Sequence, residues 1–263
     1  MEALRKTTAR KPVVILKGGI TEQGAKAAFS HTGALAASHE IWTAVMRQER
    51  VIEALNFEQL IDLTMMAVAE KTPAGTRLGF LGAGGGTSVL FTDLSTLAGL
   101  TLPELSEKSQ KQISQRISNV NTSTTNPVDL GFYGFDFTIM AHTIEAMAQD
   151  DHIDAIIPYF SLDFITSFQK DQIESGPHAI VEAARKTRKP VIPILSQFTE
   201  NILDIEDVRI RMYSIFRKAG MTVYRTPQDA IASIHGYLKW RQGSEPHPAM
   251  EYAPCEQTMT EAG

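Results

Sequence analysis

Arg77-Leu78-Gly79-Phe80-Leu81-Gly82-Ala83-Gly84-Gly85-Gly86-Thr87-Ser88-Val89-Leu90 changes character at Gly82. Before it lies an apolar run of strand length; after it, Val89, Leu90, Leu94 and Leu97 mark a helix. A strand that enters a helix through glycines is a place where backbone N–H groups and the helix dipole gather an anion. The turn is not a P-loop, because no Gly-Lys-Ser/Thr follows. It also fails the dinucleotide fingerprint, because Thr87 stands where the third glycine belongs. Taken alone, Gly84, Gly85, Gly86, Thr87 and Ser88 read equally well as an anion cradle or as a tight turn.

Three more apolar runs follow, Ile153 to Phe160, Val191 to Leu195 and Met221 to Tyr224, with helices between and after them. Such alternation implies right-handed crossovers and a parallel α/β sheet covered on both faces, in a flavodoxin-like or Rossmann-like arrangement. Gly99 and Gly220 are placed as helix C-caps, Asp136 as the N-cap of a helix carrying Ile139, Met140, Ile144 and Met147, and Thr226-Pro227-Gln228-Asp229 as the start of a helix to about Trp240. A polar helix is expected from Ser106 to about Ile117. Asn126-Pro127-Val128-Asp129 reads as a turn, since proline fixes one dihedral and Asn and Asp satisfy local backbone. At the carboxyl edge of a sheet, Asn126 and Asp129 would instead hold the Gly-rich turn or face a ligand. Phe160-Ser161-Leu162-Asp163 follows a strand and is in position to line a cleft.

Upstream the pattern is thinner. Pro12 to Leu16 and Val51-Ile52 are short strands; one helix starts near Ser38 with Ile41, Trp42, Val45 and Met46 on a face, and Asn56 with Gln59 forms a capping box for another. A two-stranded sheet is marginal in water. This piece is therefore expected to complete its sheet with another chain. Lys71-Thr-Pro-Ala-Gly-Thr is the linker, so the expected organisation is 1–71, 72–243 and a polar tail over 244–263.

Phe29-Ser30-His31-Thr32-Gly33-Ala34-Leu35-Ala36-Ala37-Ser38 sits between these upstream elements. It is read as a loop whose glycine and small residues leave the imidazole of His31 accessible. The bland alternative is a loop histidine bonded to a neighbouring carbonyl. Histidine is populated in its neutral, nucleophilic form near neutral pH. A phosphoryl group on it needs several N–H donors, which a glycine-rich helix start supplies. Histidine and turn together suggest phosphoryl transfer.

The bulk properties narrow the classes. The chain has 263 residues, 43% hydrophobic and 21% charged, a net charge of −5 and a pI near 5.8. It is soluble globular material without a basic footprint for nucleic acid. No apolar run reaches the roughly 20 residues of a membrane span, and Met1-Glu-Ala-Leu-Arg-Lys lacks a signal-peptide core, so a cytoplasmic location is expected. The single cysteine, Cys255, lies in the tail, and the other histidines show no paired metal-ligand spacing, so no metal site is assigned.

Lys11-Pro-Val-Val-Ile-Leu-Lys-Gly-Gly, Gly24-Ala-Lys-Ala-Ala-Phe-Ser-His-Thr-Gly-Ala-Leu-Ala, Gly84-Gly-Gly-Thr-Ser-Val-Leu, Asn126-Pro-Val-Asp-Leu and Val223-Tyr-Arg-Thr-Pro-Gln-Asp-Ala resemble, in that order, the NDP-forming acyl-CoA synthetases related to succinyl-CoA synthetase. The similarity spans about Lys11 to Trp240, and Ser-His-Thr-Gly-Ala-Leu is its most specific block. The resemblance implies a flavodoxin-like domain over 72–243, preceded in 1–71 by the second half of a similar α/β domain. In that family an acyl-CoA and phosphate give an acyl phosphate, whose phosphoryl group passes to a histidine and then to ADP or GDP. By resemblance His31 is that catalytic histidine, Ser30, Thr32 and Gly33 flank it, the Gly84 to Ser88 turn binds its phosphate, and Asn126 and Asp129 support the turn.

The resemblance further implies CoA and ATP/ADP or GTP/GDP with Mg²⁺, bound mainly by partner domains: a CoA-binding Rossmann domain and ATP-grasp domains or subunits. An acid–CoA ligase active only with those partners, in a hetero-oligomer, is the expected function. Ala83 departs from the pattern, where relatives carry Asn or a similar polar residue. The rivals are a non-catalytic assembly or regulatory module of the same fold and a flavodoxin-like ligand-binding protein.

Overall fold

The computed structural model describes residues 1–32 and 38–243, so the expectations for Gly33 and for the tail with Cys255 lie outside the described residues. The upstream part comprises α1 (Glu2–Thr8), β1 (Val14–Leu16), α2 (Glu22–Thr32), α3 (His39–Gln48), β2 (Ile52–Ala54) and α4 (Phe57–Ala67). β1 and β2 pair in parallel, with Val14 opposite Ile52 and Leu16 opposite Ala54. Their core is small: Ile52, Ala54 and Leu63, with Val14, Leu16, Leu60 and Trp240 packed against it. The Asn56 cap forms as read, its Oδ1 accepting from the Gln59 amide at 2.7 Å while the Leu55 amide donates to Gln59 Oε1 at 2.6 Å.

Downstream come β3 (Leu78–Gly82), α5 (Gly85–Leu97), α6 (Glu107–Ser114), β4 (Val128–Asp129), α7 (Phe137–Ala148), β5 (Ala155–Ser161), α8 (Leu162–Phe168), α9 (Gly176–Arg185), β6 (Ile194–Ser196), α10 (Leu203–Lys218) and α11 (Pro227–Gln242). The sheet runs β4-β3-β5-β6, every pair parallel. Numbered within this part alone, that order is 2-1-3-4, the flavodoxin-like arrangement.

Two details of the strand reading change. Met221 to Tyr224 contributes only an isolated bridge, Tyr224 to Ile194, with the Leu195 amide donating to the Tyr224 carbonyl at 2.8 Å. As the outermost segment it has pairing on one side alone, against a strand of three residues. The place beside β3 on the other edge is taken by Val128–Asp129, inside the stretch read as a turn. A strand of two residues, between Pro127, which lacks an N–H, and the Leu130-Gly131 turn with Gly131 at φ +53°, is too short to show a period.

Within the sheet, side chains alternate strictly between two cores. Leu81, Ile156, Phe160, Val191 and Leu195 point to the face covered by α6, α7, α9 and α10. Leu78, Phe80, Ile157, Tyr159 and Ile194 point to the face covered by α5 and α11, where Met66 of α4 also packs. Each fully buried side chain of this size contributes about 1.5–3 kcal/mol. α4 and α11 join the two parts: they pack on each other, Trp240 Nε1 donates to the Thr8 carbonyl at 2.7 Å, and Lys71 Nζ donates to the Ala184 and Thr187 carbonyls at 2.9 and 2.7 Å. No helix among the described residues is long and apolar enough to cross a membrane.

Two predictions follow from this packing. A Cβ at Gly176 would lie 2.2 Å from Cδ2 of Phe137, a buried ring stacked on Phe160 at 5.9 Å, so Gly176→Ala lowers unfolding stability by about 1–3 kcal/mol. An unchanged denaturation midpoint contradicts this packing. The second concerns Asp62 on α4, whose carboxyl is pushed up to about 6, first by burial and then by Asp229 and Glu58, against Arg225. The folded state thus holds this proton more tightly than the unfolded chain, and the group's contribution to stability is lost as pH rises from about 4 to about 6. Asp62→Asn should therefore raise the melting temperature at pH 7.5 and flatten its dependence across that window; a lower melting temperature with the dependence retained counts against the assignment.

Candidate functional site: a glycine turn at the carboxyl edge of the sheet

Because β3 and β5 are buried along their whole length, the chain first presents polar groups to solvent where the strands end. At the end of β3, Gly84 has φ +101°, in the region that favours glycine, and turns the chain into α5. The first-turn amides of Gly85, Gly86 and Thr87 have no carbonyl four residues back within the helix to bond. Gly84, Gly85 and Gly86 are all exposed.

Asp129, at the end of β4, fixes this turn. Its Oδ1 accepts from the Gly84 amide at 3.0 Å and from the Gly131 amide at 2.9 Å. One carboxylate oxygen thereby links two crossovers. From the other side a Cβ at Gly134 would lie 2.8 Å from the Ala83 amide nitrogen, so the turn over 131–135 abuts the glycine turn at a distance only glycine allows.

The remaining predicted residues divide clearly. Asn126 supports β3: its Oδ1 accepts from the Phe80 amide at 3.0 Å, and its Nδ2 donates to the Leu78 and Pro103 carbonyls at 2.8 Å each. Both of its side-chain N–H donors are thus spent on backbone. Ser88 is buried, with its hydroxyl and amide both donating to the Gly84 carbonyl at 3.4 Å. Burial raises the Tyr159 phenol above its ordinary range, against the lowering influence of the neighbouring Ser196 and Thr87.

His31 lies in the last turn of α2, and Thr32 ends that helix, so this part of the predicted loop is helical. The histidine is exposed, which excludes burial in apolar packing. Ser30 turns back on its own helix, its hydroxyl donating to the Lys26 carbonyl at 3.0 Å. α2 makes no extensive contact with α5 or with the four-stranded sheet, so His31 and the glycine turn are not brought together within the described residues.

Sequence reasoning passed over a cluster of rings at the same edge. Phe132 and Phe135 follow β4, Phe164 and Phe168 lie on α8 after β5, and Phe198 follows β6. Their centroids lie 5.3–6.4 Å apart. Asp163 sets the arrangement: its Oδ2 accepts from the Phe198 amide at 2.8 Å and its Oδ1 from the Thr199 amide at 3.1 Å and the Thr199 hydroxyl. Burial alone raises that carboxyl, but these bonds outweigh it and hold it below the usual carboxylate range. The available signal was positional: each phenylalanine follows the end of a strand.

The donor set fits an anion such as a phosphoryl group. Among the described residues no group of three His, Cys, Asp or Glu side chains is placed to hold a metal ion.

Comparison with known proteins bears on the fold. Residues 1–67 match the family model of the succinyl-CoA ligase-like flavodoxin domain. The alpha subunit of ADP-forming acetate–CoA ligase II from Pyrococcus furiosus is 27% identical over 241 residues, 91% of this chain and 50% of its own length. ADP-forming acetate–CoA ligase II from Archaeoglobus fulgidus is 33% identical over 158 residues, 57% of this chain and 23% of its own. Among solved structures, the dinucleotide-forming acetyl-coenzyme A synthetase 1 of Ca. Korarchaeum cryptofilum, in complex with phosphate and ADP, superposes with a TM-score of 0.75 at 24% identity, covering 92% of this chain and 49% of that one. The chain thus spans about half the length, or less, of the relatives it matches. In sequence the chain is thus similar to ADP-forming acetate–CoA ligases, with a succinyl-CoA ligase-like flavodoxin domain matched over residues 1–67, and it shares the fold of an acetyl-coenzyme A synthetase.

Proposed function

We propose that the chain is the phosphoryl-carrying part of an NDP-forming acyl-CoA synthetase, an acid–thiol ligase, with His31 as the residue that is phosphorylated. The observation that carries this reading is the glycine turn: exposed glycines at 84, 85 and 86 that open a helix with the first-turn amides of Gly85, Gly86 and Thr87, held by Asp129 at the carboxyl edge of a flavodoxin-like sheet. Such a turn offers fixed donors to a dianion without needing a mobile counter-ion.

In the reaction, phosphate displaces CoA from an acyl-CoA and gives an acyl phosphate. The imidazole of His31 then attacks phosphorus: a P–N bond forms, the P–O bond to the acyl oxygen breaks, and the carboxylate leaves. ADP attacks the phosphohistidine, forming ATP and regenerating the imidazole. The same steps in reverse activate the acid. Ser30, Thr32 and Gly33 flank the nucleophile, and the glycine turn holds the phosphoryl oxygens when the two parts meet. CoA-binding and ATP-grasp domains, with nucleotide and Mg²⁺, lie in the portions of the family that this chain does not span, and we assign them to partner segments in a hetero-oligomer. Relatives named as ADP-forming acetate–CoA ligases favour ADP over GDP as the nucleotide and a carboxylic acid as the shared chemistry.

The test is labelling of the complete enzyme from γ-³²P-ATP with Mg²⁺. Acid-labile phosphate should map to His31. His31→Ala should abolish both the label and acyl-CoA formation while the far-ultraviolet circular dichroism stays that of the folded protein. Label persisting elsewhere in His31→Ala overturns the proposal; a folded enzyme that never labels at all favours the non-catalytic assembly module.

A further inference from the structure

The phenylalanine cluster is unusual for its exposure. Phe135 is buried at 9%, but Phe132, Phe164, Phe168 and Phe198 are 68, 44, 54 and 61% exposed. Apolar side chains gathered this closely and left open mark a surface that meets something. They are also pre-ordered. Phe135 stacks on Phe164 at 5.3 Å, Phe132 meets both Phe135 and Phe168 edge-on at 5.5 Å, and Asp163 ties the Phe198 backbone beside Phe164.

Position supplies the occupant. The cluster comes from the carboxyl ends of β4, β5 and β6, and the glycine turn from that of β3, so both lie along the edge where open α/β sheets take ligands. They are continuous: Gly134, between Phe132 and Phe135, is in backbone contact with Ala83, next to Gly84. In an acyl phosphate a single oxygen separates phosphorus from the acyl carbon. With the phosphoryl group at the amides of Gly85 to Thr87, the rest of the acid must start at the border of this turn.

We infer that the exposed phenylalanine cluster receives the acyl substituent, and that the preferred acid carries a bulky apolar or aromatic group rather than a methyl. Ring faces and edges about 4.5–7 Å apart are the geometry in which a further aromatic ring adds to a cluster. The inference rests on the phosphoryl-transfer reading for which end of the acid lies at the glycine turn.

Its test is direct binding to the complete enzyme, measured by equilibrium dialysis with labelled phenylacetate and labelled acetate. Phenylacetate should bind at least tenfold more tightly. Phe132→Ala and Phe168→Ala should each cut that ratio about fivefold or more, with Phe132→Leu intermediate, and the kcat/KM ratio of phenylacetyl-CoA to acetyl-CoA should fall in parallel. Equal affinities in the unsubstituted enzyme, or a ratio that survives both alanine variants, overturn the inference. So does loss of the partner chain in those variants, which makes the rings a protein interface. His31 labelling is scored separately: if it fails, phosphoryl transfer fails, and the binding ratio still decides the cluster.

Discussion

β3 and β5 are covered on both faces, and every residue of each strand is buried. Neither strand can show a polar side chain to solvent until it passes its carboxyl end. Polar groups therefore gather where the strands end, and at the carboxyl rim Gly82, Asp129, Ser161 and Ser196 end four parallel strands. The glycine turn, the Asp129 tie and the phenylalanine cluster all lie there because the interior has no room for them.

That rim is held by acceptors whose task is geometric. Asp129 joins the glycine turn to the end of β4, Asn126 supplies side-chain bonds along β3 beyond a two-residue strand, and Asp163 binds the loop after β6 to α8. A turn fixed from two sides loses little freedom when an anion binds, which is how a shallow backbone site can hold a ligand. The upstream part is built differently. Its two strands share a small core, α2 is largely exposed, and its link to the sheet runs through α4 and α11. His31 sits exposed on this lightly packed part.

Much of this was readable from local rules. Long apolar runs gave β3 and β5 because burial on both faces leaves these strands almost wholly apolar, and the Asn56, Asp136 and Thr226 caps were legible because capping depends on neighbours within three residues. What depended on distant partners was not. β4 was hidden because it is two residues long and defined by its pairing with Leu81 and Gly82. Tyr224 looked like part of a strand, but only a three-residue neighbour was there to pair with it. His31 was read as a loop residue from its small neighbours, yet alanines and a Glu22–Lys26 pair at helical spacing carry α2 through it. The phenylalanine cluster draws on segments between 132 and 198, which no window along the chain brings together.

The central claim is that a phosphoryl group on His31 is steadied by the glycine turn, and the most direct measurement is a structure of the complete phosphorylated enzyme. Phosphorus should be bonded to an imidazole nitrogen of His31, with its oxygens about 2.7–3.1 Å from amide nitrogens among Gly85, Gly86 and Thr87. A phosphohistidine elsewhere, or one on His31 whose oxygens meet other donors while these amides face solvent, would contradict the account.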